Sequence, residues 1–231
     1  MKALAAALIF FAAPVAAFEC HTALVLGLDA SRSVDARESA LQREGLAAAL
    51  TSPEIVAAIA PYEGAGVAAM AFEWSNPGDQ LVIAPWTLLD GEASIRAFAQ
   101  SLVASPGIER RWRTGLGEAM RFAAEAIRSA PASCARLVID ISGDGPHNAG
   151  TTPEAHRRAG AFNGLTINGL VIRHPALDSA QPPGKDPLPY YRKHVIQGPG
   201  SFIELTESYD SYPQAIRRKL LRELSPSLAM K

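Results

Sequence analysis

The chain has no marked excess of charge of either sign and no run of like charges. Its 22 Lys and Arg residues nearly balance its 23 Asp and Glu residues, which gives a formal net charge of −1. Nucleic-acid-binding proteins typically carry a basic patch or stripe, so a nucleic-acid partner is not expected. No internal repeat and no shift of composition marks a second domain. We therefore expect residues 18–231 to form a single domain.

Long apolar runs are absent beyond the first 17 residues. That segment carries one basic residue, Lys2, followed by an apolar stretch over 3–15, and it ends in the small residues Ala16 and Ala17. This pattern is typical of a cleaved signal peptide, here residues 1–17. A membrane anchor is the alternative, but the stretch is shorter than the roughly 20 residues that span a bilayer. The mature protein is expected to be periplasmic or secreted, with no membrane span.

Cysteine is scarce, with Cys20 and Cys134 as the two in the chain. An even pair in an exported protein favours a disulfide. Each cysteine precedes an apolar run that predicts a strand. If the two strands are parallel neighbours, both cysteines lie at the starting ends, close enough to bridge. We predict a Cys20–Cys134 disulfide, with two separate buried thiols as the alternative.

What the sequence does contain is a regular alternation of strand-like and helix-like segments. This alternation predicts an α/β fold with a doubly wound, mainly parallel sheet covered by helices on both faces. A predicted hairpin places one antiparallel strand at the sheet edge. The last predicted helix is basic and amphipathic, and its Arg and Lys side chains are expected in solvent. Helices are predicted at 35–50, 53–60, 92–104, 115–130, 153–162 and 210–223, and strands in the run from 22, at 65–73, 80–86, 136–141, 165–172 and 201–205.

The first predicted strand ends in Asp29, Ser31 and Ser33, which occupy alternate positions. Side chains two residues apart in an extended chain point to the same side, so their oxygens can converge on one point. Hard divalent cations bind such oxygens. Thr114 precedes a predicted helix and Asp144 follows a predicted strand, which brings both to the same sheet edge. The alternative is that Asp29, Ser31 and Ser33 form an N-cap cluster for the next helix.

Together these five residues resemble the metal-ion-dependent adhesion site (MIDAS) of the von Willebrand factor type A (VWA) domain, which combines Asp-x-Ser-x-Ser with a distant Thr and a distant Asp. The resemblance covers essentially the whole mature chain and implies a Rossmann-like VWA fold. It implies that Ser31, Ser33 and Thr114 bind a divalent cation directly, while Asp29 and Asp144 act through water or direct contact. Mg²⁺ is expected, with Ca²⁺ or Mn²⁺ as alternatives.

The last third of the chain is similar to an uncharacterised group of exported bacterial proteins with this domain. The similarity lies in Tyr190-Tyr191, in residues 195–202 and in the basic segment 217–220. It names a family without giving it a function. Tyr190 and Tyr191 are expected to pack under the preceding loop rather than to act in catalysis.

The preferred interpretation is an extracytoplasmic protein-binding module without catalytic activity. A cation held by few charged ligands keeps an open coordination position, which attracts a carboxylate of a partner protein. One alternative is a metal-dependent hydrolase that uses the same cation. The serine motif Gly-x-Ser-x-Gly is missing around Ser142, because Asp140 stands where the first Gly belongs. A structural VWA domain without metal is the other alternative.

Residues beside the predicted site are candidates for partner binding. The loop before Thr114 contains Arg110, Arg111, Trp112 and Arg113, and Arg and Trp are frequent anchors in interfaces. His147 follows Asp144 and is placed to face the rim of the site. The alternative is a solvated loop and a solvated or capping histidine.

Overall fold

Strands and helices alternate along most of the chain in the computed structural model, which describes residues 19–60, 66–109, 112–173 and 186–224. The strands within these ranges are β1 (Glu19–Asp29), β2 (Val67–Trp74), β3 (Gln80–Leu89), β4 (Ser133–Gly143), β5 (Thr166–Ile172) and β6 (Ile203–Thr206). The helices are α1 (Ala36–Leu50), α2 (Pro53–Ile59), α3 (Glu92–Ala104), α4 (Leu116–Arg128), α5 (Pro153–Arg158), α6 (Pro187–Tyr190) and α7 (Tyr212–Leu224). A π-helical turn, Tyr191–Val195, follows α6, and a 3₁₀ turn, Tyr209–Ser211, precedes α7.

The six strands form one sheet in the order β3-β2-β1-β4-β5-β6. All neighbouring pairs are parallel except β2 and β3, which are antiparallel. This confirms the predicted mainly parallel sheet with one antiparallel edge strand. The chain reverses its winding direction at β1, whose neighbours are β2 and β4. The carboxyl ends of β1 and β4 therefore meet at the switch point where α/β proteins bind ligands.

The core lies in two layers, one on each face of the sheet. Leu24, Leu26 and Leu28 of β1 pack with helices α1, α2, α3 and α7, whereas Ala23 and Val25 pack with α4 and the π-helical turn. The alternation follows from the two-residue period of a strand. Helices on both faces, as predicted, bury β1 almost completely.

One expectation for the last helix is wrong, because Lys219 of α7 is fully buried rather than in solvent. Its Nζ lies 2.7 Å from Asp140 Oδ2 of β4 and 2.5 Å from Glu223 Oε1 of the same helix. A buried ammonium group needs such partners, since an unpaired charge in the core is very costly. Two arginines of α7 pair with acids at the surface, and the side chains of Arg217 and Arg218 are 43% and 56% exposed.

Several element ends also differ from the predictions. Helix α5 ends at Arg158 rather than at 162, because Ala161 N donates to His156 O and the chain turns to bury Phe162 in the core. Strand β4 starts three residues earlier and ends two residues later than predicted. It is longer because β1 pairs with it from Glu19 onward.

Cys20 and Cys134 form a disulfide, as predicted. They are register partners on β1 and β4, and their Cα atoms lie 4.4 Å apart. Both lie near the amino ends of their strands. The disulfide therefore closes the edge of the sheet opposite the switch point.

Some predictions concern parts of the chain that the structure does not describe. The predicted signal peptide, residues 1–17, lies outside the described residues, as do Arg110 and Arg111. In the described ranges, no helix is both long enough and apolar enough to cross a membrane.

Candidate functional site

The predicted ligands at the end of β1 occupy the tip of the strand and the turn that follows it. Asp29 is the last residue of β1, and Ser31 N donates to its Oδ1 over 2.7 Å. Helix α1 begins only after Asp35, which is its N-cap and accepts from Glu38 N. The alternative of Asp29, Ser31 and Ser33 as the N-cap cluster of this helix is therefore wrong.

Asp144, from the end of β4, meets this turn. Ser33 Oγ donates to Asp144 Oδ1 over 2.7 Å, and Ser31 Oγ lies 3.2 Å from Ser33 Oγ. Asp29 and Ser31 are buried, whereas Ser33 is exposed. The oxygens thus run from the interior to the surface, and the cluster opens to solvent at Ser33.

Thr114, the fifth predicted ligand, is tied to the loop that carries Asp144. Thr114 N donates to Asn148 Oδ1 over 2.9 Å, and Asn148 Nδ2 donates to Thr114 Oγ1 over 3.2 Å. Asn148 N also donates to Thr114 O over 3.0 Å. One asparagine therefore fixes Thr114, which is only 6% exposed, relative to the Asp144 loop.

Glu73 of β2 anchors the loop before Thr114. This buried carboxylate accepts from Ile108 N over 2.7 Å and pairs with Arg43 of α1 at 2.5 Å. Further along, Gly115 N donates to Ser75 O over 2.7 Å. These contacts set the path of the chain into the first turn of α4.

Two tyrosines that sequence analysis did not assign to the site lie against its carboxylates. Tyr209, on the 3₁₀ turn after β6, donates its hydroxyl to Asp144 Oδ2 over 3.0 Å. Tyr191, on the π-helical turn, is fully buried, and its Oη lies near Asp29 beside Gly143. Tyr209 follows a strand whose carboxyl end points to the site, and that position is the one signal that the sequence offered.

Burial and mutual repulsion dominate the electrostatics of the cluster. Burial raises the pKa of Asp29 well above its usual value, and the nearby Asp144 charge raises it further, against the hydrogen bonds from Ser31. Burial and the same two carboxylates raise the pKa of Tyr209 and Tyr191, so both hydroxyls remain protonated. Tyr209 donates to Asp144, whereas Tyr191 Oη has no hydrogen-bond partner among the described residues. Burial and repulsion therefore favour a positive charge at this cluster, which either a proton on Asp29 or a bound cation supplies.

The residues predicted at the rim of the site differ in their exposure and in their contacts. Trp112 is 62% exposed, and Arg113 donates to Asn148 O over 3.4 Å, so both lie beside Thr114. His147 Nδ1 accepts from Gly117 N over 3.3 Å, and its Nε2 lies 3.2 Å from Gly150 O. Both ring nitrogens of His147 are therefore engaged within the protein.

The donor set fits a hard divalent cation in one specific respect. Asp29 Oδ2 is buried and has no hydrogen-bond partner among the described residues, although a buried carboxylate oxygen normally has one. The described ranges contain no group of three or more His, Cys, Asp or Glu side chains placed to hold a metal. Any cation bound here would therefore depend on the hydroxyls of Ser31, Ser33 and Thr114.

Solved structures with the same fold come from distant organisms. A structure of proximal thread matrix protein 1 from the mussel byssus with a zinc-occupied MIDAS motif is 13% identical, with a TM-score of 0.62, over 90% of this chain and 48% of that one. A von Willebrand factor type A protein from Catenulispora acidiphila is 14% identical, with a TM-score of 0.60, over 89% and 43%. BatB from Bacteroides thetaiotaomicron is 15% identical, with a TM-score of 0.51, over 88% and 98%. The chain thus matches less than half of the mussel and Catenulispora proteins.

The fold is that of a von Willebrand factor type A domain, as the motif resemblance predicted. No curated protein matches the chain. The chain belongs to the family described as "Protein of unknown function (DUF1194)", which matches residues 19–228. The prediction that the chain belongs to an uncharacterised family with this domain is therefore confirmed.

Proposed function

We propose that this protein is an exported protein-binding module that holds a divalent cation at the carboxyl edge of its sheet and captures an acidic group of a partner. The observation that carries the proposal is the convergence of Ser31, Ser33 and Asp144 beside Asp29, whose buried Oδ2 has no hydrogen-bond partner within the described ranges. The zinc-occupied MIDAS of the mussel protein supports it, because that protein shares the fold.

In this proposal each residue has a defined role. The hydroxyls of Ser31, Ser33 and Thr114 bind the cation directly, and Asp29 and Asp144 balance its charge directly or through water. Mg²⁺ is the preferred ion, with Mn²⁺ or Ca²⁺ as alternatives, since oxygen ligands suit all three. When bound, the ion supplies an electrophilic position that a partner carboxylate can occupy.

The proposed location outside the cytoplasm rests on two features. The first is the signal-like pattern of residues 1–17. The second is the Cys20–Cys134 disulfide, because disulfides persist in oxidising compartments.

The absence of catalysis is also part of the proposal. A hydrolase needs a general base near the ion. His147 is the one nearby histidine that sequence analysis offered, and both its ring nitrogens are engaged by the backbone. The pilus adhesin SpaC from Lactobacillus rhamnosus GG has a related fold, with 13% identity and a TM-score of 0.62 over 90% of this chain and 31% of that one, and this likeness also supports a binding role.

Calorimetric titration with Mg²⁺ and Mn²⁺ tests the proposed metal centre. We expect the intact protein to bind one ion, and we expect Ser31→Ala and Asp144→Asn to abolish the binding because each removes an oxygen from the cluster. Asp90→Asn is the matched control, since Asp90 lies on the exposed connection between β3 and α3. Unchanged binding in both site variants would exclude this cluster. Metal-dependent turnover of phosphate or acyl esters by the purified protein would favour the hydrolase instead.

A further inference from the structure

Both carboxylates of the proposed metal centre lie against tyrosine hydroxyls, which approach them from opposite faces of the sheet. Tyr209 belongs to the core layer of α1 and α7, and Tyr191 belongs to the layer of α4. Tyr209 donates directly to Asp144 Oδ2. Neither tyrosine belongs to the five-residue motif that sequence analysis identified.

Tyr191 reaches Asp29 because two glycines leave room for it. A Cβ atom on Gly169 of β5 would lie 2.8 Å from Tyr191 Cδ1, and a Cβ atom on Gly143 of β4 would overlap Tyr191 Oη. The same point at Gly143 is 2.9 Å from Asp29 Oδ2. The ring therefore runs across β5 and β4, and its hydroxyl ends beside the carboxylate on β1.

The segment that carries Tyr191 is fixed in place. The π-helical turn closes with a hydrogen bond from Ile196 N to Tyr191 O over 3.1 Å. Arg157 of α5 donates to His194 O over 3.1 Å and to Gln197 Oε1 over 2.6 Å. π-Helical turns are rare and occur frequently at functional sites. The hydroxyl of Tyr191 therefore has a defined position rather than a variable one.

Both oxygens of Asp144 are engaged by these contacts, whereas Asp29 Oδ2 has no hydrogen-bond partner among the described residues. Asp144 accepts from Ser33 at Oδ1 and from Tyr209 at Oδ2, and Asp29 accepts from Ser31 N at Oδ1. Because Asp144 is held at both oxygens, it is not free to bind an ion with both of them. Ca²⁺ takes six to eight ligands and often uses bidentate carboxylates, whereas Mg²⁺ needs octahedral geometry and keeps several waters.

We propose that Tyr209 is a positioning residue that keeps Asp144 from chelating with both oxygens, and that it thereby makes the centre selective for a small octahedral cation over Ca²⁺. Tyr209 acts through its direct hydrogen bond to Asp144 Oδ2. Tyr191 Oη, like the neighbouring Asp29 Oδ2, has no hydrogen-bond partner among the described residues, so this role is not assigned to Tyr191. The inference rests on the proposed metal centre and adds to it the residue that sets its ion preference.

Tyr209→Phe tests the inference, because it removes the hydroxyl that donates to Asp144 and keeps the ring. Calorimetry would give the affinities for Mn²⁺ and Ca²⁺, and melting in EDTA would report the stability of the metal-free fold. We expect Tyr209→Phe to weaken Mn²⁺ binding by about 10- to 100-fold, which is typical for the loss of a partner of a metal ligand. The affinity for Ca²⁺ should fall much less, so that the ratio of the Mn²⁺ affinity to the Ca²⁺ affinity decreases.

Tyr212→Phe and Tyr190→Phe are matched controls. Tyr212 is buried and its hydroxyl lies 3.5 Å from Ser142 Oγ, while the Tyr190 ring packs on His194. Unchanged affinities in Tyr209→Phe, equal losses for Mn²⁺ and Ca²⁺, or the same loss in Tyr212→Phe would overturn the inference. Absence of cation binding by the intact protein would reject the metal centre itself, which is a distinguishable result.

Discussion

Asp140 and Lys219 form a buried ion pair that joins β4 to α7, and Glu223 contributes a second acid. Asn168 of β5 donates to Glu223 Oε1 over 2.8 Å, so the group also contacts a third element. Burial raises the pKa of Asp140 to about 7; Glu223 adds to this rise, and Lys219 opposes it. With both acids ionised, one ammonium group must balance two buried negative charges.

This arrangement predicts a pH dependence of stability. Because the folded-state pKa of Asp140 lies above its ordinary value of 3.8, the folded protein binds more protons than the unfolded chain between these two values. The contribution of Asp140 to stability is therefore full below about pH 4 and is lost as the pH rises through about 7. The free energy of unfolding, measured in urea, should therefore be lower at pH 8 than at pH 5. This decrease should be smaller for Asp140→Asn than for the unaltered protein.

Asp186→Asn serves as the control for this prediction, since Asp186 is exposed and pairs with Arg173 at the surface. It should leave the difference between pH 5 and pH 8 unchanged, because exposed ion pairs contribute little. If the free energy of unfolding changes by the same amount between pH 5 and pH 8 in Asp140→Asn and in the unaltered protein, Asp140 is not the group responsible.

The burial of Lys219 and the approach of Tyr191 to Asp29 could not be predicted from the sequence. Helical periodicity places Lys219 on the inner face of α7, but only the acid within the apolar run of β4 indicates that a charge could be accepted there. Asp140 is the signal for this pairing that the sequence contains. Tyr191 was harder to assign, because its reach to Asp29 depends on side-chain space at Gly143 and Gly169 on two other strands.

At the scale of elements, the strand order could be predicted in outline because it follows from short-range patterns. Alternating apolar segments predicted a doubly wound sheet, and the hairpin predicted the antiparallel edge. The ends of α5 and β4 could not be predicted, since they depend on Phe162 entering the core and on pairing between distant strands.

The disulfide between β1 and β4 should be a major contribution to stability. It joins residues 114 apart in sequence, and in the chain-entropy model a loop of about this length is worth about 4.7 kcal/mol, with measured losses of about 2–5 kcal/mol. We expect the double variant Cys20→Ser/Cys134→Ser to lose an amount in that range in urea unfolding. Mass mapping without reductant should show the two cysteine peptides linked in the unaltered protein.

Two measurements separate this role from an effect on the proposed metal centre. The disulfide lies at the edge of the sheet opposite Asp29 and Asp144, so Mn²⁺ affinity should be the same in the double variant. Reduced unaltered protein should unfold like the double variant. Two alkylatable thiols in protein purified from a periplasm would contradict the disulfide.

Positive and negative charges nearly balance over the full chain, which has a formal net charge of −1. The loop before Thr114 differs from this average, because Arg110, Arg111 and Arg113 stand together in the sequence. Arg113 and the exposed Trp112 lie beside the Asp144 loop, and Arg110 and Arg111 are assigned to the same rim from the sequence alone. With a cation bound nearby, this edge would be locally positive.

We therefore expect these arginines to increase the association rate of an acidic partner, with little effect on its dissociation rate. Charges at the rim of an interface act mainly on association and on its salt dependence. An immobilised Glu-rich peptide serves as the probe, with association followed at several salt concentrations in Mn²⁺ and in EDTA. Replacing Arg110, Arg111 and Arg113 with Ser should slow association and weaken its salt dependence, whereas Thr114→Ala should remove the Mn²⁺-dependent binding.

The matched control replaces three arginines on other surfaces, Arg96, Arg217 and Arg218, which pair with acids on or near α2, α3 and β6. This control changes the net charge by the same amount but leaves the proposed rim intact, so association should keep the rate of the unaltered protein. Equal slowing in both triple variants would show that overall charge, not the loop before Thr114, drives capture. Binding that persists in EDTA and in Thr114→Ala would place the interface away from the proposed metal centre.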